Sequence, residues 1–206
     1  MPSKGGAHER ACDVFLIARS VAEELEKSGG LAFPIPVAKA GVVSVVEKQS
    51  LPAGIERIDL LCHDWRSKQF YSALFRYKDR AEIHYSAHEN LCWRRFAVVK
   101  EAIHLLIDTE ARHFTTNATD LIERLIVGGV FEPNTPIDSE RMGIFAAMEI
   151  LLPWKLRPTV EAMRDAGESD FQIALQCRVP EKYVTAMLHG VYGKSSKRLN
   201  EKLDGK

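Results

Sequence analysis

The chain has 206 residues, enough for one sizeable hydrophobic core with a small appended module. Its 28 Lys and Arg residues balance 28 Asp and Glu, which excludes a strong overall field for nucleic acid or an anionic membrane. With 46% hydrophobic residues and no apolar run of membrane-spanning length, the composition is that of an ordinary soluble globular protein.

The opening Met1-Pro2-Ser3-Lys4 has no signal-peptide pattern, and the cysteines Cys12, Cys62, Cys92 and Cys177 form no C-x-x-C pair. Both features predict a cytoplasmic protein with reduced thiols, in which Cys62 and Cys92 act as buried small hydrophobes.

In chain order, Val14, Ile17, Ala18, Val21 and Leu25 carry helical spacing over Glu9–Lys27, and Ser28-Gly29-Gly30 stops the helix. Phe33-Pro34-Ile35-Pro36 is extended, because a residue before proline is pushed away from helix. Val37–Gln49 reads as a short helix loosening at Gly41, although its Val-rich second half also suits a strand. Three strand-like runs follow, Ile55–His63, Gln69–Tyr77 and Ala81–Ala87. The last two form a hairpin with Lys78-Asp79 at its tip, and an antiparallel sheet is the expected product.

Asn90 then caps a helix over Trp93–Asp108 with Phe96, Val99, Ile103 and Leu106 on its apolar face. Residues three and four apart share a helix face, so Lys100, Glu101, His104 and Asp108 form one polar seam. Further on, Thr109–Asn117 is a polar connection and Ala118–Val130 a helix, followed by a proline-bearing loop over Phe131–Pro136. Asp138 or Ser139 caps Glu140–Leu152, which Pro153 ends. Pro158–Ala166 is a helix closed by Gly167, Ser169 caps Asp170–Cys177, and Glu181–Leu188 follows the Val179-Pro180 turn. From Gly193 the Lys- and Ser-rich tail is expected to be mobile.

The seam Lys100-Glu101-Ala102-Ile103-His104 is one residue short of H-E-x-x-H, in which two His at i and i+4 bind zinc and the Glu acts as general base. Together with Arg95-Phe96 and the later Phe145-Ala146-Ala147-Met148-Glu149-Ile150-Leu151-Leu152-Pro153, it resembles the ImmA/IrrE family of zinc-metallopeptidase-like proteins over roughly residues 10–165. The resemblance implies an α+β fold with a thermolysin-like (zincin-like) core, in a domain spanning 8–165. Residues 166–206 would form a short helical extension and a flexible basic tail. It also implies peptide-bond hydrolysis of a repressor or regulator, with Glu101 as base and His104 and Glu140 as zinc ligands.

Lys100 stands where the family has its first ligand His. A protonated lysine has no lone pair to give, and its charge opposes a dication. His84, His88 or His113 would have to supply a substitute ligand. The expectation is instead a degenerate site, in which the Lys100 ammonium replaces the metal's charge and pairs with Glu101 or Glu140. On that reading the protein is a regulator that binds another protein, such as a transcriptional regulator or repressor, and zinc is a cofactor only if the site functions. The first alternative is an active zinc endopeptidase.

The second alternative is DNA binding through residues 169–190, where Ile173, Ala174, Val179, Val184 and Leu188 have helix-turn-helix spacing. From Arg178 to Lys206, seven Lys or Arg stand against three Asp or Glu, a modest excess for phosphate contacts. The second helix carries no Arg and no Asn or Gln pair for reading bases, so no nucleic-acid-binding residue is assigned. His63 and His84 read as structural histidines. No Ser-His-Asp or Cys-His constellation and no glycine-rich phosphate loop is legible.

Overall fold

A computed structural model describes residues 4–65, 71–108 and 136–205. Along the chain these form α1 (Lys4–Lys27), α2 (Val42–Ser50), β1 (Arg57–His63), β2 (Ser72–Arg76), β3 (Arg80–Ser86), α3 (Leu91–Ile107), α4 (Pro136–Leu151), α5 (Arg157–Asp165), α6 (Asp170–Cys177), α7 (Glu181–His189) and α8 (Val191–Leu203). The expected helix over Ala118–Val130, the connection before it and His113 lie outside the described residues.

The mixed α+β architecture matches the expectation from the sequence. α3 packs on α4, α1 packs on α4 as well, and α2 and the sheet pack on other parts of α3. Side chains from α1 (Val14, Phe15, Val21), α3 (Val99, Ile103) and α4 (Ala147, Ile150, Leu151) meet in one buried cluster. Ile173, Val184 and Met187 of the C-terminal helices belong to the same cluster.

The sheet order is β1-β3-β2, and it corrects the expected antiparallel arrangement. β2 and β3 form the anticipated antiparallel hairpin, but β1 runs parallel to β3. The reason is burial. β3 carries Ala81 and Ile83, both fully buried, so it takes the centre, where Ile58 of β1 and Leu74 of β2 flank it. A strand added on the far side of a hairpin, opposite in direction to its first strand, is parallel to its second.

Gly41 decides the ambiguous valine run. A Cβ there would lie 1.9 Å from the Pro36 carbonyl oxygen, so only glycine lets the chain turn that tightly, and α2 starts directly after it. Helix spacing then buries Val42, Val43, Val45 and Val46 on one side.

Three local expectations fail. Asp138 and Ser139 do not cap α4, because the helix begins at Pro136 and both side chains turn inward into a buried network. The tail, expected to be mobile, is placed as a docked helix, α8, with Ser196 and Asn200 fully buried and Arg19 of α1 bonded to Asp204 at 2.6 Å. Cys62, expected to be buried, is exposed on β1.

Candidate functional site

α3 begins where Asn90 accepts a hydrogen bond from the Trp93 backbone N–H at 3.0 Å. From that start, the 3.6-residue period turns Lys100, Glu101 and His104 toward α4 and toward β2. α4 brings Glu140 against them. Lys100 Nζ donates to Glu140 Oε2 at 2.6 Å and lies 2.8 Å from Glu101 Oε1. That same Glu101 oxygen accepts from Ser72 Oγ of β2 at 2.7 Å. The lysine therefore bridges both carboxylates, one from its own helix and one from the facing helix.

His104 lies one turn further on. Its Nδ1 meets Asp108 Oδ2 at 2.8 Å, and Ser139 Oγ lies 3.2 Å from the same nitrogen. Its Nε2 is buried without a hydrogen-bond partner and sits 3.7 Å from Glu140 Oε1. Gly143 explains how α4 approaches so closely. A Cβ there would stand 2.6 Å from His104 Nε2, so any larger residue would push the imidazole out of place.

An outer layer of charge holds this geometry. Arg10 of α1 donates to Asp138 Oδ2 at 2.8 Å and to Asp108 Oδ1 at 3.2 Å. Ser139 Oγ donates to Asp108 Oδ1 at 2.5 Å. Arg76 of β2 donates to the backbone carbonyls of His104 and Asp108, at 2.5 and 3.0 Å, and so closes the C-terminal end of α3. The His104 carbonyl also accepts from the Asp108 backbone N–H at 3.1 Å, so Arg76 is its second donor, and a guanidinium there complements the helix dipole.

The titration behaviour follows from these contacts. Burial works against the charged Lys100 amine, but the Glu101 and Glu140 carboxylates outweigh it and raise its pKa above the ordinary lysine value. Burial likewise works against an imidazolium at His104. The Asp108 hydrogen bond and the Glu140 charge win over it, so the pKa lies above the ordinary 6.5. Glu140 and Asp108 would be raised by burial, but Lys100 and His104 respectively hold them below the ordinary carboxylate range.

The arrangement excludes some chemistry. Ser139, His104 and Asp108 touch but do not form a nucleophilic triad, because serine and aspartate both approach Nδ1 and the serine is buried. The donor set also does not suit a zinc ion. An ammonium group sits against the carboxylate that would bind the metal, and no cluster of three metal-binding side chains occurs among the described residues.

Of the substitute ligands considered from the sequence, His84 and His88 are engaged elsewhere, and His113 lies outside the described residues. His84 Nδ1 lies 2.9 Å from His63 Nε2, and its Nε2 lies 3.2 Å from Glu82 Oε2. His88 bonds Asp64, so the sequence pair His63-Asp64 is not an oriented dyad.

Lys100, Glu101, His104 and Glu140, each singled out in the sequence, thus meet at one place, where Glu140 keeps 25% of its side chain exposed and opens the group to solvent. Arg10, Ser72, Arg76, Ser139 and Gly143 were not foreseen. One signal for Arg10 existed: it continues the stripe of Val14, Ala18, Val21 and Leu25 by one helical step, and a charge there must find a buried partner. No known protein-family model matches this sequence. No curated protein matches it either.

The C-terminal helices have the connectivity of a helix-turn-helix. Ser169 and Gln172 form a reciprocal capping box, and Arg178 takes a left-handed conformation (φ 53°) in the turn between α6 and α7. The inner face of α7 docks on α3. Tyr183 stacks on Phe96 with centroids 4.0 Å apart and meets Trp93 edge-on. Three of its outward, exposed side chains also make contacts within the protein. Thr185 donates to Asp170 at 2.6 Å, His189 lies 3.2 Å from the same residue, and the Lys182 ammonium sits over the Trp93 ring at 4.5 Å.

Proposed function

We propose that this protein is a regulator of the ImmA/IrrE type with a zincin-like core, in which a former metal centre has become a charge-balanced structural site. It acts by binding another protein, such as a transcriptional regulator or repressor. The observation that carries this reading is the position of Lys100 Nζ, 2.8 Å from Glu101 and 2.6 Å from Glu140. A cation is thereby supplied where the resemblance expects a metal, and the carboxylates remain neutralised without one. Glu101 serves as a counter-ion rather than a base, since one of its oxygens already accepts from both Lys100 and Ser72.

The competing reading, a working zinc endopeptidase, draws support from His104 Nε2 and Glu140 Oε1 standing 3.7 Å apart, a spacing two ligands of one ion would need to shorten only slightly. The DNA-binding reading is weaker, because the outward groups of α7 are tied to Asp170 and Trp93. Incubation with unfolded protein substrates, with and without added zinc, separates the first two. The proposal expects no cleavage. Cleavage abolished by Glu101→Gln would overturn it.

A further inference from the structure

The N-terminal half of α3 borders a groove of about 400 Å³ that lies apart from Lys100 and His104. Its walls are apolar, with Pro36, Leu60, Leu91 and Val98 among them, and its charged side chains are Arg94 and Arg95. Among the described residues, no carboxylate lines it.

The two arginines differ in what they do. Arg95 is a strut, with Nη2 donating to the Ile35 carbonyl at 2.5 Å and Nε to the Arg178 carbonyl at 3.2 Å. These bonds use its hydrogens but supply no negative charge. Arg94 has less. Its Nε is buried with no hydrogen-bond partner. Among the described residues no acid pairs with it; its charge acts on the Tyr85 hydroxyl, also in the groove.

A buried Nε–H without an acceptor is costly, and none of the described residues satisfies this one. Arg94 also lies in the first turns of α3, where the helix dipole adds positive potential. A groove that offers positive charge on one side and hydrocarbon on the others is complementary to an anion with an apolar body. Leu91, 46% exposed, extends the apolar wall to the mouth.

We propose that this groove binds a small organic carboxylate with an apolar body. The carboxylate bonds the Arg94 guanidinium, and the hydrocarbon lies against Leu60, Leu91 and Val98. Recognition is then a bidentate or end-on charge-assisted pair plus burial of the chain, so neither half of the ligand suffices alone. The site does not depend on Lys100 or on metal.

The test uses sodium octanoate as probe in calorimetric titrations of the full chain, with acetate and 1-octanol as the charge-only and chain-only controls. Octanoate should bind saturably at one site, and both controls should fail. Arg94→Gln should weaken octanoate at least about tenfold, the loss expected for one charge-assisted pair. Its melting temperature should not fall, because Arg94 makes no bond to lose. Ala38→Trp, a change at an exposed groove position, should block binding with Arg94 intact. Equal binding by Arg94→Gln, equal binding of octanol, or no saturable octanoate binding would overturn the proposal. A peptide with a free C-terminal leucine that binds more tightly than octanoate, and loses binding when amidated, would overturn the small-acid assignment in favour of a chain terminus.

Discussion

Lys100 Nζ and Glu140 Oε2 are 2.6 Å apart, joining α3 to α4 across the most polar part of an otherwise apolar helix interface. The pair has a second function beyond attraction, since Lys100 also neutralises Glu101, which is buried and has no other cation in contact among the described residues. Removing the lysine therefore strands the Glu101 carboxylate and leaves Glu140 with only the more distant His104, 3.7 Å away, as a counter-charge among the described residues.

Lys100→Met should accordingly destabilise the fold by about 3–5 kcal/mol, the usual cost of stranding one side of a buried ion pair. Adding Glu101→Gln and Glu140→Gln to it should recover most of that loss, because the stranded charges go with the lysine. Urea unfolding of the single and triple variants measures both. Equal instability of the two would show that Lys100 matters for packing and not for charge.

Gly143→Ala places a methyl group 2.6 Å from His104 Nε2, within van der Waals overlap. The imidazole must swing away from Asp108, at a cost of about 1–3 kcal/mol. The His104 ring resonances should shift, and its pKa should fall toward the ordinary 6.5 as the Asp108 bond is lost. An unchanged His104 titration would contradict the tight approach of the two helices.

His104 gives the protein a pH signature. Because its folded pKa is raised, its stabilisation is complete below about pH 6.5 and is lost as the pH climbs through the folded value. Asp108 and Glu140 have lowered values, so their contributions are present above the ordinary 3.8 and 4.5 and are lost as the pH falls through the folded values. Glu149, raised chiefly by burial, adds a further loss as the pH rises above 4.5. Urea midpoints should peak near pH 5–6 and decline on both sides, roughly as these windows overlap. His104→Gln should flatten the alkaline decline. A midpoint constant between pH 5.5 and 8.5 would contradict the assignment.

Tyr183→Ala removes the ring that docks α7 on Phe96 and Trp93, and should cost about 3–5 kcal/mol as a large buried aromatic. The chain should also show no salt-dependent binding to duplex DNA, since the outward side chains of α7 are engaged within the protein. A salt-dependent mobility shift that disappears on deleting residues 167–206 would reverse that conclusion.

Much of the site was legible because helix periodicity is local. Lys100, Glu101 and His104 share a face by spacing alone, and the N-caps Asn90 and Ser169 stand next to apolar stripes. Contacts between distant segments were not legible. Asp138 and Ser139 have the composition of a cap, and only the presence of Arg10 and Asp108 opposite them turns them inward. The direction of β1 depends on which strand the core needs at the centre, a property of the whole sheet and not of the Ile55–His63 run. The tail reads as polar and mobile because Lys and Ser dominate it. Its most buried residues are Ser196 and Asn200, small polar groups with no hydrophobic signal of their own, and among the described residues of the tail only Leu199 packs an apolar side chain against the core.

The central claim, that Lys100 holds the place of a metal's charge, is tested most directly by zinc titration against a chelating dye, comparing the native chain with Lys100→His. The account predicts no stoichiometric zinc in the native chain. In the variant it predicts about one equivalent, bound at least a hundredfold more tightly and lost again when His104→Ala is added. One tightly held zinc in the native chain that disappears on His104→Ala would contradict it, and so would a Lys100→His variant with no gain.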